Sequence, residues 1–142
     1  MRSVMDIRTI QNLNLFEKIT GAKARCCFNY NSAIVFVVPR HLLNQALGKN
    51  ASNINRLYLK LNKRVRIIIS PLDNPSIGDI ERFVKSIVYP YDFKNAIVEN
   101  GELIIFSMPR TKAALIGRDK TRLKELTDII DRFFGIKKIV IK

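Results

Sequence analysis

The chain states one pattern twice. Ile34-Val35-Phe36-Val37-Val38-Pro39-Arg40 returns seventy residues later as Ile104-Ile105-Phe106-Ser107-Met108-Pro109-Arg110. Each copy then passes through a short helical-looking segment to an apolar-Gly-basic turn, Leu47-Gly48-Lys49 and Ile116-Gly117-Arg118. Each turn opens a longer amphipathic segment, and each copy closes on a β-branched run, Val65 to Ile69 and Ile136 to Ile141. Upstream, Asn29-Tyr30-Asn31-Ser32 aligns with Glu99-Asn100-Gly101-Glu102, and Ile10 and Leu13 align with Ile80 and Phe83. Solenoid units run only about 20 to 50 residues, so this spacing predicts two tandem copies of a small domain. The expected division is 1–72 and 73–142. The connector from Ser70 to Pro75 carries two prolines and is expected to be stiff.

Charge separates the copies. Lys18 to Leu72 contains ten Lys and Arg and no Asp or Glu, and residues 1–72 carry a net charge of +10 against +3 for residues 73–142. A surface of that kind attracts a polyanion, nucleic acid first, an anionic membrane or acidic protein second. The longest uninterrupted apolar run, Ala33 to Val38, is six residues, against the roughly 20 that cross a bilayer. Met1 to Asp6 lack the apolar core of a signal peptide, so a cytoplasmic location is expected. Adjacent Cys26 and Cys27 would point to opposite faces of a strand, which spoils them as a metal pair.

Hydrophobic periodicity predicts a helix from Met5 to Thr20, with apolar Ile7, Ile10, Leu13 and Phe16 at near-helical spacing and Gly21 as its stop. A hairpin follows over Lys23–Phe28 and Ala33–Val38. A short helix over Arg40–Leu47, a second from about Ala51 to Leu61 and a strand over Arg64–Ile69 complete the first copy. The second copy reads as a helix over Ile77–Val88 and a hairpin within Lys94–Met108 turning on Asn100-Gly101, a type I′ signal. Helices over Arg110–Leu115 and Thr121–Phe134 and a strand over Ile136–Ile141 follow. The expected fold class is α+β, two layers: each copy is a three-stranded mixed sheet with helices on one face and at least one parallel pairing.

The glycine turn is where chemistry is expected. Two helices meeting there would aim free amides and a positive dipole end at one point, a natural phosphate site. In the first copy Gly48 permits close approach and Lys49 adds charge. Ser52, Asn53 and Asn55 are small polar groups within reach of sugar or base edges. Arg56, Lys60 and Lys63 share one helical face, opposite Ile54, Leu57 and Leu61. The second copy repeats this with Gly117, Arg118, Asp119, Lys120, Thr121 and Arg122. Among Tyr30, Tyr58, Tyr89 and Tyr91, Tyr58 is the first candidate for base stacking, with core packing the stronger account of it. The single His41 and the turn residues Glu99 and Glu102 offer no catalytic or zinc constellation. No enzyme activity, cofactor, metal or small-molecule substrate is expected.

This order of elements, with its glycine turn between helices, resembles the type II KH domain, and the tandem pair resembles the small archaeal NusA-like transcription factors. The resemblance covers nearly the whole chain. It implies that Gly48-Lys49-Asn50-Ala51 and Gly117-Arg118-Asp119-Lys120 are the loops that clamp single-stranded RNA backbone, with bases in an adjoining apolar groove. RNA-binding residues would then be Gly48, Lys49, Asn50, Ala51, Asn53, Arg56 and Lys60, with Gly117, Arg118, Asp119, Lys120 and Arg122. The partners it implies are single-stranded nascent RNA and RNA polymerase, with an effect on pausing, termination or antitermination. Both loops depart from Gly-x-x-Gly. Ala51 in a helical first turn would be a mild change, whereas Lys120 is bulky and Asp119 sets a carboxylate beside the expected phosphate. A protein-interaction module with drifted loops and a ribosome-associated KH protein are the alternatives.

Overall fold

The computed structural model describes residues 6–142. The expected helix start at Met5 lies outside them. One compact unit ends at Ser70, and the next runs from Pro71 to Lys142. The first contains helix α1 (Ile7–Thr20), strands β1 (Cys26–Tyr30) and β2 (Ala33–Val38), helices α2 (Leu43–Leu47) and α3 (Ser52–Leu61), and strand β3 (Arg64–Ile69). The second contains α4 (Ile77–Val88), β4 (Phe93–Glu99), β5 (Glu102–Ser107), α5 (Pro109–Ile116), α6 (Thr121–Phe134) and β6 (Lys138–Ile141). No helix among the described residues is long and apolar enough to cross a membrane.

Both sheets are mixed and share one topology. β2 lies between β1 and β3, antiparallel to the first and parallel to the second, and β5 lies likewise between β4 and β6. The parallel pair follows from the helices between its strands, because a parallel return needs a crossover. All six residues of β2 are buried, which explains an apolar run without alternation. Its Ile34, Phe36 and Val38 pack with Phe16 of α1, Ala46 of α2, Leu57 of α3 and Val65 of β3. The Phe16 and Phe36 rings stack with centroids 4.4 Å apart. In the second unit Phe83 of α4 meets Phe133 and Phe134 of α6 at 4.7 and 5.8 Å.

The strand register corrects the alignment of the two copies. Both hairpins close on two residues with positive φ, Asn31-Ser32 and Asn100-Gly101, flanked by the pairs Tyr30–Ala33 and Glu99–Glu102. The equivalent offset is therefore 69 residues, the spacing of the two glycine turns, rather than the 70 of the Pro-Arg match. Phe36, fully buried, corresponds to fully buried Ile105 and not to half-buried Phe106. A slip of one residue moves a strand's side chains to the other face, so the pattern of burial decides the register over letter identity.

Element boundaries differ in several places, and the last strand begins at Lys138 rather than Ile136. Asp6 caps α1 by accepting from the Thr9 amide at 2.8 Å, and α1 buries less than its spacing predicted: Ile7 is 75% exposed and Ile10 46%. β1 begins at Cys26 rather than Lys23, since upstream only the Arg25 amide reaches across, to the Val37 carbonyl. The segment after Pro39 opens with a 3₁₀ turn, Arg40–Leu42, before α2, and His41 sits exposed on that turn. The second unit's α4 starts with a reciprocal capping box between Ser76 and Asp79.

Candidate nucleic-acid interface

The two glycine turns have the same backbone. Gly48 has φ 74° and ψ −177°, and Gly117 has φ 77° and ψ 169°, a region open to glycine almost alone. Each turn closes with an i→i+3 hydrogen bond of 3.2 Å, from the Ala51 amide to the Gly48 carbonyl and from the Lys120 amide to the Gly117 carbonyl. The two residues before the second helix are left-handed in both: Asn50 and Ala51 at φ 55° and 56°, Asp119 and Lys120 at 55° and 60°. Asn and Asp tolerate that conformation well. Ala51 is not in a helical first turn, as expected from sequence, but in a left-handed conformation that costs an L-residue about 1–2 kcal/mol.

This geometry leaves donors outward. The Gly48 amide is bonded to the Asn44 carbonyl of α2 and the Ala51 and Ser52 amides to carbonyls within the turn, while the Lys49 and Asn50 amides have no acceptor among the described residues. Lys49, Asn50 and Ala51 are exposed, and the ten-residue α3 begins immediately after them. Two free amides, an ammonium and a helix N-terminus at one tip are the kind of groups that attract an anion. Arg118, Asp119 and Lys120 are also exposed and place the same two amides at the start of α6, with Asp119 adding an anionic group at the tip.

Asn53 is not available to a ligand. It is 6% exposed; its amide nitrogen donates to the Ala46 carbonyl at 3.0 Å and its oxygen accepts from Arg56 Nη1 at 3.0 Å. The Nη1 group of Arg56 also donates to the Ile19 carbonyl at 3.4 Å. Asn53 thus ties the end of α2 to the start of α3, and Arg56 ties α3 to α1 while remaining solvent-exposed. The signal was present in the sequence: Asn53, Leu57 and Leu61 are four apart, so Asn53 lies on the buried stripe. Lys60 and Lys63 are exposed as expected.

The glycines meet the residue five positions later. A Cβ on Gly48 would lie 2.8 Å from Asn53 Nδ2, and one on Gly117 would lie 2.6 Å from Arg122 Cγ and 2.9 Å from the Arg122 backbone nitrogen. Arg122, half-buried, lies against the turn it follows. Tyr58 is 45% exposed, against the expectation of core packing, and Tyr30 is buried at 3%. Cys27 is buried, and burial foremost, with Asp6 contributing, pushes its thiol up to about 11, so it stays protonated and unreactive at neutral pH.

Comparison with known proteins gives this arrangement a context. No family model matches the chain. A Methanococcus vannielii protein named probable transcription termination protein NusA is 28% identical over 98% of this chain and 79% of its own length. The chain is similar, over nearly its whole length, to archaeal NusA. Proteins of that name from Thermoplasma acidophilum and Halococcus morrhuae are each 24% identical, over 97% and 98% of the chain and 94% and 98% of their own lengths. The crystal structure of APE1850 superposes with a TM-score of 0.66 at 23% identity, covering 97% of this chain and all of that one. The α+β fold with two mixed sheets is therefore shared with a solved structure. The NusA likeness spans both units and so includes both glycine turns.

Proposed function

We propose that the chain is an RNA-binding transcription factor of two KH modules, 1–72 and 73–142, that holds single-stranded nascent RNA and acts on transcription termination, antitermination or pausing. The observation that carries this reading is the first turn. Its outward Lys49 and Asn50 amides, its Lys49 charge and the N-terminus of α3 converge within a 55-residue stretch free of carboxylates. A phosphodiester of single-stranded RNA presents the oxygens such a tip accepts, and KH loops bind backbone in this manner. The names of the archaeal relatives supply the transcriptional context, and RNA polymerase is the protein partner that context implies.

The test is a fluorescence-anisotropy titration of the chain with a single-stranded RNA and a duplex of equal length, at two salt concentrations, beside the variant Lys49→Asp, Asn50→Asp. The fold tolerates the second change because Asp119 already occupies the equivalent left-handed position. The expected result is preference for the single strand and a loss of at least about tenfold, or ~1.4 kcal/mol, in the variant. Equal, salt-driven binding to both nucleic acids with no effect of the variant would reduce the reading to a basic surface.

A further inference from the structure

The connection between α4 and β4 is Tyr89-Pro90-Tyr91-Asp92, and its aromatic rings face water: Tyr89 is 70% exposed and Tyr91 41%. The backbone beneath them is fixed. The Tyr89 amide donates to the Lys85 carbonyl at 3.1 Å and the Tyr91 amide to the Val88 carbonyl at 3.0 Å. Asp92 accepts from the Phe93 amide at 2.8 Å and lies 3.5 Å from Lys85 Nζ; that ammonium also sits 5.1 Å from the centre of the buried Phe93 ring. The Thr111 hydroxyl donates to the Asp92 carbonyl at 3.0 Å. This bond joins the aromatic connection to the first turn of α5 and sets exposed Arg110 and Lys112 beside it. Neither cation forms an ion pair among the described residues. The one carboxylate in the connection, Asp92, faces Lys85.

We propose that Tyr89 and Tyr91 form a stacking site for the bases of single-stranded RNA, with Arg110 and Lys112 on the neighbouring phosphates. The proposal rests on the RNA-binding reading above and extends it to the opposite end of α5 from the second glycine turn. Two rings on a rigid turn are far too small for a stable protein interface of about 1,200 Å² or more, but stacking on one or two rings is a complete unit of single-strand binding. Flanking unpaired cations match a phosphate chain. The first unit has no equivalent: its connection from Gly21 to Arg25 contains no aromatic residue. The aromatic pair thus belongs to the unit whose glycine turn carries Asp119. Base contacts there offset what that carboxylate takes from phosphate binding.

The experiment compares the full chain, Tyr89→Ala, Tyr91→Ala, and Tyr89→Phe, Tyr91→Phe in anisotropy titrations with a single-stranded RNA and the same strand made abasic. The alanine pair is expected to lose about tenfold in affinity for the normal strand, with an unchanged salt slope because no cation is removed. The phenylalanine pair should retain affinity, and the abasic strand, which also forfeits base contacts beside the glycine turns, should bind the unmodified chain at least as weakly as the normal strand binds the alanine pair. The chain has no tryptophan, so quenching of its tyrosine emission by RNA is expected to reach the same endpoint and to diminish in the alanine pair. RNA binding that is lost with Lys49→Asp, Asn50→Asp but unchanged in the alanine pair would overturn this site alone. Absence of RNA binding by the unmodified chain would overturn it together with the reading it rests on.

Discussion

Replacing Gly117 by alanine tests the claim that close approach, and not merely flexibility, fixes the glycine turn. The backbone there, φ 77° and ψ 169°, costs a residue with a Cβ about 1–3 kcal/mol. The added Cβ would also lie 2.6 Å from Arg122 Cγ and 2.9 Å from the Arg122 nitrogen. The Cγ can rotate aside. The nitrogen cannot, because it sits in the first turn of α6, so the helix start must shift. The combined loss is expected at about 2–4 kcal/mol, a fall of about 1–2 M in the urea midpoint of the full chain for ordinary slopes. Gly135→Ala is the internal control. Gly135 has φ 70° in the same unit, but its Cβ would meet nothing within 4 Å, so only the left-handed term of about 1–2 kcal/mol applies. Equal losses in the two variants would refute the reasoning, since the contact with Arg122 would then contribute nothing. Gly48→Ala should fall between them, because its clash is with the Asn53 side chain and displacing that group forfeits the bond to Ala46.

Two further outcomes follow from local geometry. Ala51→Gly should raise stability by about 0.5–1 kcal/mol in a urea titration, the relief of a left-handed alanine less the greater unfolded-state freedom of glycine; a loss would mean that the φ of 56° is not strained. Asp79 has its pKa lowered, first by the Ser76 amide and then by the Ser76 hydroxyl and Arg82. A lowered folded-state value means its contribution is present above the ordinary carboxylate range and is lost as pH falls through the depressed value. Stability measured from pH 7 down to pH 3 should therefore decline less steeply in Asp79→Asn, and an unchanged slope would remove the capping box from the account of acid sensitivity.

Much of this fold is legible in the sequence because its signals are local. Ile77–Val88, Arg64–Ile69 and Thr121–Phe134 follow from periodicity and flanking turn residues, and Asn100-Gly101 announces its own hairpin. What failed depended on partners. Matching Pro39-Arg40 to Pro109-Arg110 is a true likeness of letters, yet pairing across the sheet sets Phe36 against Ile105. Ile10 has helical spacing but lies 46% exposed, since amphipathic position predicts a face without saying how far the sheet beneath it extends. Nothing in an alanine marks it as left-handed, so Ala51 could be located only once the turn was built around it. Asn53 has the polarity of a surface residue but the spacing from Leu57 of a buried one; a buried amide needs two partners, and sequence does not reveal that the Ala46 carbonyl and Arg56 supply them.

The two turns bear on what the fold imposes and what it leaves open. Four of the five residues from Gly48 to Ser52 differ from their counterparts in Gly117 to Thr121, yet every φ along the left-handed pair agrees to within 4°. Such agreement cannot come from side-chain preference, because Ala51 and Lys120 both disfavour the conformation they hold. It comes from what the copies share: the glycine whose Cβ-less face meets the residue five positions on, the 3.2 Å turn-closing bond and the buried stripes of the helix that follows. With the backbone set from below, the outward residues are free to change without moving the amides. Asn50 and Asp119 are the sharpest example, a neutral and an anionic group on superposable backbone. A difference in anion affinity between the turns would then be a difference of side-chain charge, which is why exchanging Asn50 for Asp should lower RNA affinity in an anisotropy titration while leaving the shape of the first turn intact.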